Sequence, residues 1–334
     1  MSFDGGGGGV PPPPPNHHHH HHIPSHPSSP HHPQHPNTLT MPHVLELIAV
    51  SHSGPILPST SRQPSLWSRL TGSTPSGLLL KDVSFEVHSG EMMAILGSKG
   101  SGKRALLEVI AHRVNGSPTS NSSSSSSSSN STSTTRGQIL LNDVPLTLRL
   151  FQEQCGFVSR RSQLIDGLTV RQTLTYMARM TIRQPIIGRR LADGSWLPLR
   201  LRVKQVLADV ALSSVSSLDV TELTEAERKR LAIGLQLVRD PLLLVLDDPT
   251  SGLCPLDTYF IVSMLSNHVK KYGRIVLFTI DRPRSDVFPF LDRVTFLCLG
   301  DVVYTGSTRG MMEYFSSIGF PCPELENPLM YYRK

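Results

Sequence analysis

The sequence predicts an α/β domain: a mainly parallel sheet with helices on both faces, a small antiparallel β piece and a helical subdomain. Three observations carry this. Fully apolar runs such as Met92–Leu96 and Leu242–Leu246 read as strands buried on both faces. Amphipathic stretches of helical period separate such runs, the alternation expected of a parallel sheet. One run opens into a glycine-rich turn leading straight into a helix, and another ends in two acids, Asp247 and Asp248.

Along the chain, residues 1–42 read as a disordered Gly/Pro/His-rich tail, with GGGGG at 5–9, PPPPP at 11–15 and six His at 17–22. Such a segment buries too little apolar surface to offset the entropy of ordering. His43–Val50 is a first strand, and 51–76 is turn-rich around Trp67. Val83, Phe85 and Val87 alternate with Ser84 and Glu86, a half-buried antiparallel strand. Met92–Leu96 follows, then the glycine turn and a helix over Lys103–Val114. Residues 116–135 hold 12 Ser, four Thr and two Asn, so they read as a flexible insertion. Strands are expected at Gln138–Leu141 and Cys155–Ser159, with a turn at Asn142-Asp143. Helices at Val170–Met180, Leu199–Leu212 and Glu225–Val238 make a helical subdomain over about 165–240. The strand Leu242–Leu246, a helix over Leu256–Lys270 and the strand Arg274–Ile280 come next. Strands at Val294–Leu299 and Val302–Tyr304 and a helix over Thr308–Ile318 close the domain, which is expected to span 43–334.

Composition excludes several classes. No apolar run approaches the ~18–20 residues of a membrane helix, and the N-terminus lacks a secretory pattern. The four Cys (155, 254, 298, 322) form no CxxC pair, which fits a reducing compartment and argues against zinc or a disulfide framework. The net charge of +6 is mild, and no aromatic-interleaved basic block points to nucleic acid. A metal-binding role for the His tract would leave residues 43–334 unexplained.

The sharpest chemical signal is Gly97-Ser98-Lys99-Gly100-Ser101-Gly102-Lys103, set between strand and helix. Glycines let backbone N–H groups converge on phosphate oxygens, the helix N-terminus adds positive charge, and Lys103 reaches the outer phosphates. The Mg²⁺-binding hydroxyl expected after this lysine is replaced by Arg104. Asp247, closing an apolar strand, is the candidate metal residue, holding Mg²⁺ through water.

The stretch Asp247-Asp-Pro-Thr-Ser-Gly-Leu253 resembles the DEPTSGL segment of ABC-transporter nucleotide-binding domains. Arg171-Gln-Thr-Leu174, Pro283-Arg-Ser-Asp286, Gly319-Phe-Pro-Cys-Pro323 and Asn327-Pro328 resemble its subfamily G, the white/sterolin type. HVLELIAVSHS and LLLKDVSFEVHSGEMMAILGSKGSGK look most like the sterolin half of the sterol-exporting pair. The resemblance implies a P-loop NTPase fold of ABC type and ATP as cofactor. It also implies a second subfamily G half-transporter in a hetero- or homodimer, and a membrane domain that the sequence, as far as Lys334, does not contain. The domain would sit on the cytosolic side of a membrane; this chain alone would be soluble and cytoplasmic.

Mapped onto that family, the chemical positions depart. Arg160 stands where the family has a metal-sensing Gln. The signature segment reads Leu223-Thr224-Glu225-Ala226-Glu227. Thr224 keeps a hydroxyl for a partner's phosphate, but Glu225 brings a negative charge, worth roughly 4 kcal/mol of repulsion at ~4 Å and an effective dielectric of ~20. Thr224-x-x-Glu227 is equally a capping box for the next helix. Asp248 replaces the Glu that polarises water, Cys254 the Asp after SGL, and Asp281 the His that contacts the γ-phosphate. Asp248 and Asp281 are thus the candidate catalytic positions. Mg²⁺ is left open, because Arg104 and Arg160 could supply the charge of a lost ion or be drifted surface residues. Two readings follow: the ATP-binding half of a lipid or sterol transporter with weak or no hydrolysis, or an inactive pseudo-ABC domain serving as a nucleotide-binding, structural or regulatory partner.

Overall fold

The computed structural model describes residues 42–55, 76–114, 133–161, 163–182 and 197–333. The expected tail, apart from Pro42, and the insertion up to residue 132 lie outside them. Six strands make the large sheet, in the order β10 (Asp301–Ser307), β9 (Arg293–Cys298), β3 (Met92–Gly97), β8 (Ile275–Thr279), β7 (Leu243–Leu246) and β6 (Cys155–Val158). Only the β9–β10 pair is antiparallel. A second, antiparallel sheet runs β2 (Ser76–His88), β1 (Val44–Pro55), β4 (Thr134–Leu141) and β5 (Val144–Pro145). The α/β class, the parallel sheet and the antiparallel addition stand as the sequence predicts.

Side chains alternate across each parallel strand, and this divides the interior into two cores. Met92, Ala94 and Leu96 of β3 enter one core with Leu244, Leu246, Val276 and Phe278. Met93 and Ile95 enter the other with Leu243, Val245, Ile275 and Leu277. The first core is covered by α3 (Val170–Thr181), α4 (Leu197–Asp209), α5 (Glu225–Leu237) and α6 (Pro255–Tyr272). The second is covered by α1 (Lys103–Ile110) and the antiparallel sheet. Because β3, β7 and β8 are buried on both faces, their sequences are unbroken apolar runs.

Local chemistry sets the element ends. Asn142 and Asp143 both take positive φ, the type I′ geometry that joins β4 to β5. Thr169 caps α3 in a capping box with Gln172. Cys254 caps α6, Pro255 takes its first turn, and Gly273 ends it in the left-handed region at φ 61°.

Several boundaries differ from expectation. The strand β4 begins at Thr134, so the last two residues of the expected 116–135 insertion belong to it. The helix α1 stops at Ile110 rather than Val114. His112 turns to φ 52°, and the Arg113 N–H bonds back to the Glu108 carbonyl, closing the helix. Two helices escape the sequence pattern: α2 (Leu148–Gln154), which buries only Phe151, and α8 (Pro328–Tyr331), one turn capped by Asn327. The remaining helix, α7, runs Thr308–Ser317.

Candidate nucleotide site

Neighbouring strands β3, β8 and β7 end at Gly97, Thr279 and Leu246, and ligands of open parallel sheets bind beyond such carboxyl ends. The turn after β3 is possible only with glycine. Gly102 has φ 99°, and a Cβ there would stand 2.7 Å from the Leu79 carbonyl oxygen; on Gly97 it would run into the Leu297 carbonyl. Gly102 is the N-cap of α1; no side chain caps the helix, and its first turn carries no acid. The amide groups at this N-terminus are left to an anion.

Lys103 folds back over the turn. Its Nζ donates to the carbonyls of Gly97 (2.8 Å) and Ser98 (3.1 Å) and lies 3.3 Å from Asp281 Oδ1. Lys99 and Gly100 form the exposed tip. Ser101 Oγ is buried without a hydrogen-bond partner among the described residues.

The acids beyond β7 are buried. Asp247 Oδ1 accepts from Thr279 Oγ1 (3.3 Å), and its Oδ2 lies 3.9 Å from Arg104 Nε. Asp248 donates its backbone N–H to the same Thr279 oxygen (2.9 Å). Burial raises both carboxyl pKa values; for Asp248 the Asp281 charge adds to the rise, while Arg160 and Lys229 oppose it.

Arg160 ties the ring together. Its Nε donates to Ser251 Oγ (3.0 Å), and its terminal nitrogens lie 3.3 Å from Asp248 and 3.5 Å from Asp281. Arg104 Nε pairs with Glu108 at 2.8 Å, one helical turn on.

A cavity of about 510 Å³ opens over the turn. It is lined by Lys99 to Arg104, by Arg160, Asp247, Asp248 and Asp281, and by His52, Leu79, Glu108 and Thr279 among others. That volume suits a nucleotide. A neighbouring cavity of about 600 Å³ shares Arg104, Arg160 and Asp247 and adds Arg161, Glu225 and Lys229. Ser98 faces neither cavity's lining but supplies a carbonyl to Lys103.

Thr224 lines neither cavity, although its neighbour Glu225 lines the second. It is the N-cap of α5, with its backbone N–H and hydroxyl both donating to Glu227 Oε2 (2.9 and 2.8 Å) and its Oγ1 accepting from the Glu227 N–H (3.3 Å). The capping-box reading accounts for every hydrogen bond of its side chain.

Three lining residues carried no sequence signal strong enough to single them out. His52 is buried with a ring nitrogen 2.7 Å from Thr135 Oγ1, and burial lowers its pKa. Thr279 is a lone polar residue closing an apolar strand. Glu108 is legible only as the i+4 partner of Arg104. Arg333 Nε also donates to the Gly97 carbonyl (3.3 Å), a contact between residues far apart in sequence.

The turn, the open helix end, the unpartnered Ser101 hydroxyl and the cavity fit a nucleoside triphosphate. The donors around Asp247 do not fit Mg²⁺, which demands oxygen ligands in near-octahedral order. Position 104 offers a guanidinium instead of a hydroxyl, position 160 offers a second, and the Thr279 hydroxyl already serves Asp247 and Asp248.

Comparison with known proteins gives the family. The ABC transporter family model matches residues 80–251. The chain is 36% identical over 257 residues to ATP-binding cassette sub-family G member 8 of Rattus norvegicus, across 76% of this chain and 34% of that protein. It is 33% identical over 271 residues to member 8 of Homo sapiens, across 80% and 37%. With member 5 of Homo sapiens the identity is 32% over 302 residues, across 88% and 42%. The chain thus spans between 34% and 42% of the length of these curated relatives. A solved structure of CbiO1 from Clostridium perfringens, part of the ABC transporter complex CbiONQ, superposes with a TM-score of 0.59 at 22% identity, covering 82% of this chain and 91% of that one; that likeness is one of fold. The chain belongs to the ABC transporter family, as a nucleotide-binding domain of the subfamily G type.

Proposed function

We propose that this chain is the ATP-binding half of a subfamily G transporter that moves a lipid or sterol and works as a dimer with a second half-transporter, with impaired hydrolysis. The observation that carries this is the open N-terminus of α1, with Lys103 and the end of β7 converging on one cavity of about 510 Å³. Weak turnover is supported by two side chains. Asp248 is one methylene shorter than the Glu of the family pattern, and a misplacement of ~1 Å can cost ~100-fold in rate. Asp281 sets an anion beside Lys103 where the family pattern has a histidine. The lipid or sterol cargo rests on the resemblance to sterolin-type sequences.

A second reading, an inactive pseudo-ABC domain with a structural or regulatory role, is favoured by one feature. The start of α5, which in this family faces a partner's triphosphate, is occupied by its own Glu227 and carries Glu225 beside it.

Titration with a fluorescent ATP analogue tests the binding; saturation that weakens by roughly 10–100-fold in Lys103→Ala, the scale of a charge-assisted contact, is the expected result. Turnover assayed alone and with a sterolin-type partner separates the readings. Hydrolysis abolished by Lys103→Ala supports the transporter half, and no hydrolysis under any pairing supports the pseudo-domain.

A further inference from the structure

Resting on the nucleotide-binding reading, we propose that Arg104 and Arg160 stand in for the divalent cation, so that this site takes a nucleoside triphosphate as the metal-free anion. Each acid that could hold an ion beside the phosphates already faces a fixed cation. Asp247 Oδ2 is 3.9 Å from Arg104, Asp248 Oδ2 is 3.3 Å from Arg160, and Asp281 lies between Lys103 (3.3 Å) and Arg160 (3.5 Å). A divalent ion entering at Asp247 would meet the guanidinium of Arg104 at short range.

The two arginines differ in how they are held, and the difference suits two roles. Arg160 is fixed by Ser251, Asp248 and Asp281, so its fork is oriented before ligand arrives. Its contacts to the two acids are longer than the ~2.7–2.9 Å of a strong charged hydrogen bond, so phosphate oxygens can compete for them. Arg104 projects from the first turn of α1, one residue past Lys103, with a side chain 73% exposed and held by a single close partner, Glu108 at 2.8 Å. Together they deliver two positive charges, the charge of the absent ion, on planar forks that match phosphate geometry. Both line the two adjoining cavities. Covalent attachment means that no chelator can remove them.

The test is an equilibrium titration of the full chain with trinitrophenyl-ATP, in excess magnesium and in excess EDTA. The wild-type affinities are expected to agree within about twofold. Arg104→Ser and Arg160→Gln, singly and together, restore the neutral oxygen donors of the family pattern. Each is expected to weaken binding in EDTA by about tenfold, the ratio that a difference of ~1.4 kcal/mol produces, and added magnesium is expected to recover the loss. Arg104 is exposed, so its variant reports even where loss of Arg160 disturbs the fold, which circular dichroism shows. Wild-type binding at least about tenfold weaker in EDTA overturns the proposal, as do arginine variants that bind like wild type in EDTA. No saturable signal in either buffer overturns the nucleotide reading itself and this proposal with it.

Discussion

Two helices of this domain begin where the family resemblance sets a phosphate, and they begin in opposite ways. The N-terminus of α1 has a glycine cap, no capping side chain and no acid in its first turn. The N-terminus of α5 has a full capping box and two acids, Glu225 and Glu227, in its first turn. Both present orphan amide groups and the positive end of a helix dipole. At α1 that potential is left to a ligand; at α5 the protein's own carboxylate has consumed it. An anion site at a helix end is therefore defined as much by what is withheld from the cap as by the helix itself.

The largest break in the comparison comes from closing α1. Gly102→Ala forces a side chain into φ 99° and against the Leu79 carbonyl. It is expected to abolish saturable nucleotide binding and to lower stability by at least ~2 kcal/mol, read from chemical denaturation. A smaller effect of opposite sign comes from freeing the cations that serve α1. Asp281→Asn removes the charge paired with Lys103 and Arg160, and nucleotide affinity should rise by about tenfold, on the scale of one charge-assisted contact; unchanged affinity would mean that the pairing does not compete with ligand.

Opening α5 tests the other side. Glu227→Ala leaves Thr224 without its reciprocal partner and should destabilise the fold by about 1 kcal/mol, a fall of roughly 2–4 °C in melting temperature. Nucleotide binding at α1 should not change, because Glu227 lines neither cavity. The mildest effect is on pH. Burial, and then the Asp281 charge, raise the Asp248 pKa, so the neutral form gains population as pH falls from neutral toward that raised value. Nucleotide affinity should climb by a few-fold over that window, one like charge having been removed, and Asp248→Asn should flatten the profile.

What the sequence discloses follows from how each part is built. Strands buried on both faces must be apolar throughout, so β3, β7 and β8 are visible as runs, and the glycine turn is visible because only glycine reaches its backbone angles. The Asn142-Asp143 hairpin is read because Asn and Asp are the side-chain-bearing residues that tolerate the left-handed angles it takes. By contrast α2 buries a single side chain and α8 is one turn long, too little for a periodic signal. The end of α1 depends on His112 entering a left-handed conformation that no composition announces. In the site, residues that act through the backbone are legible as motifs. Contacts made across the fold are not: the pairing of Arg160 with Asp248 and Asp281, Thr279 bonded to two acids, His52 on the cavity wall. Their pairings arise from strand order, which is set by long-range packing. Thr224 shows the remaining difficulty, since one hydroxyl in one pattern serves equally as a phosphate ligand or a cap.

The alternation of β3 between two cores has a mechanical corollary. A strand gripped from above by one set of methyls and from below by another cannot tilt without opening a gap on one side, and dense interiors transmit such strain rather than absorb it. Gly97 is the tip of that clamped beam. Shaving a methyl from Met93 or Leu96, buried on opposite faces, would thus be felt at the turn beyond, and the aim of its amides is inherited from hydrocarbon that never meets the ligand.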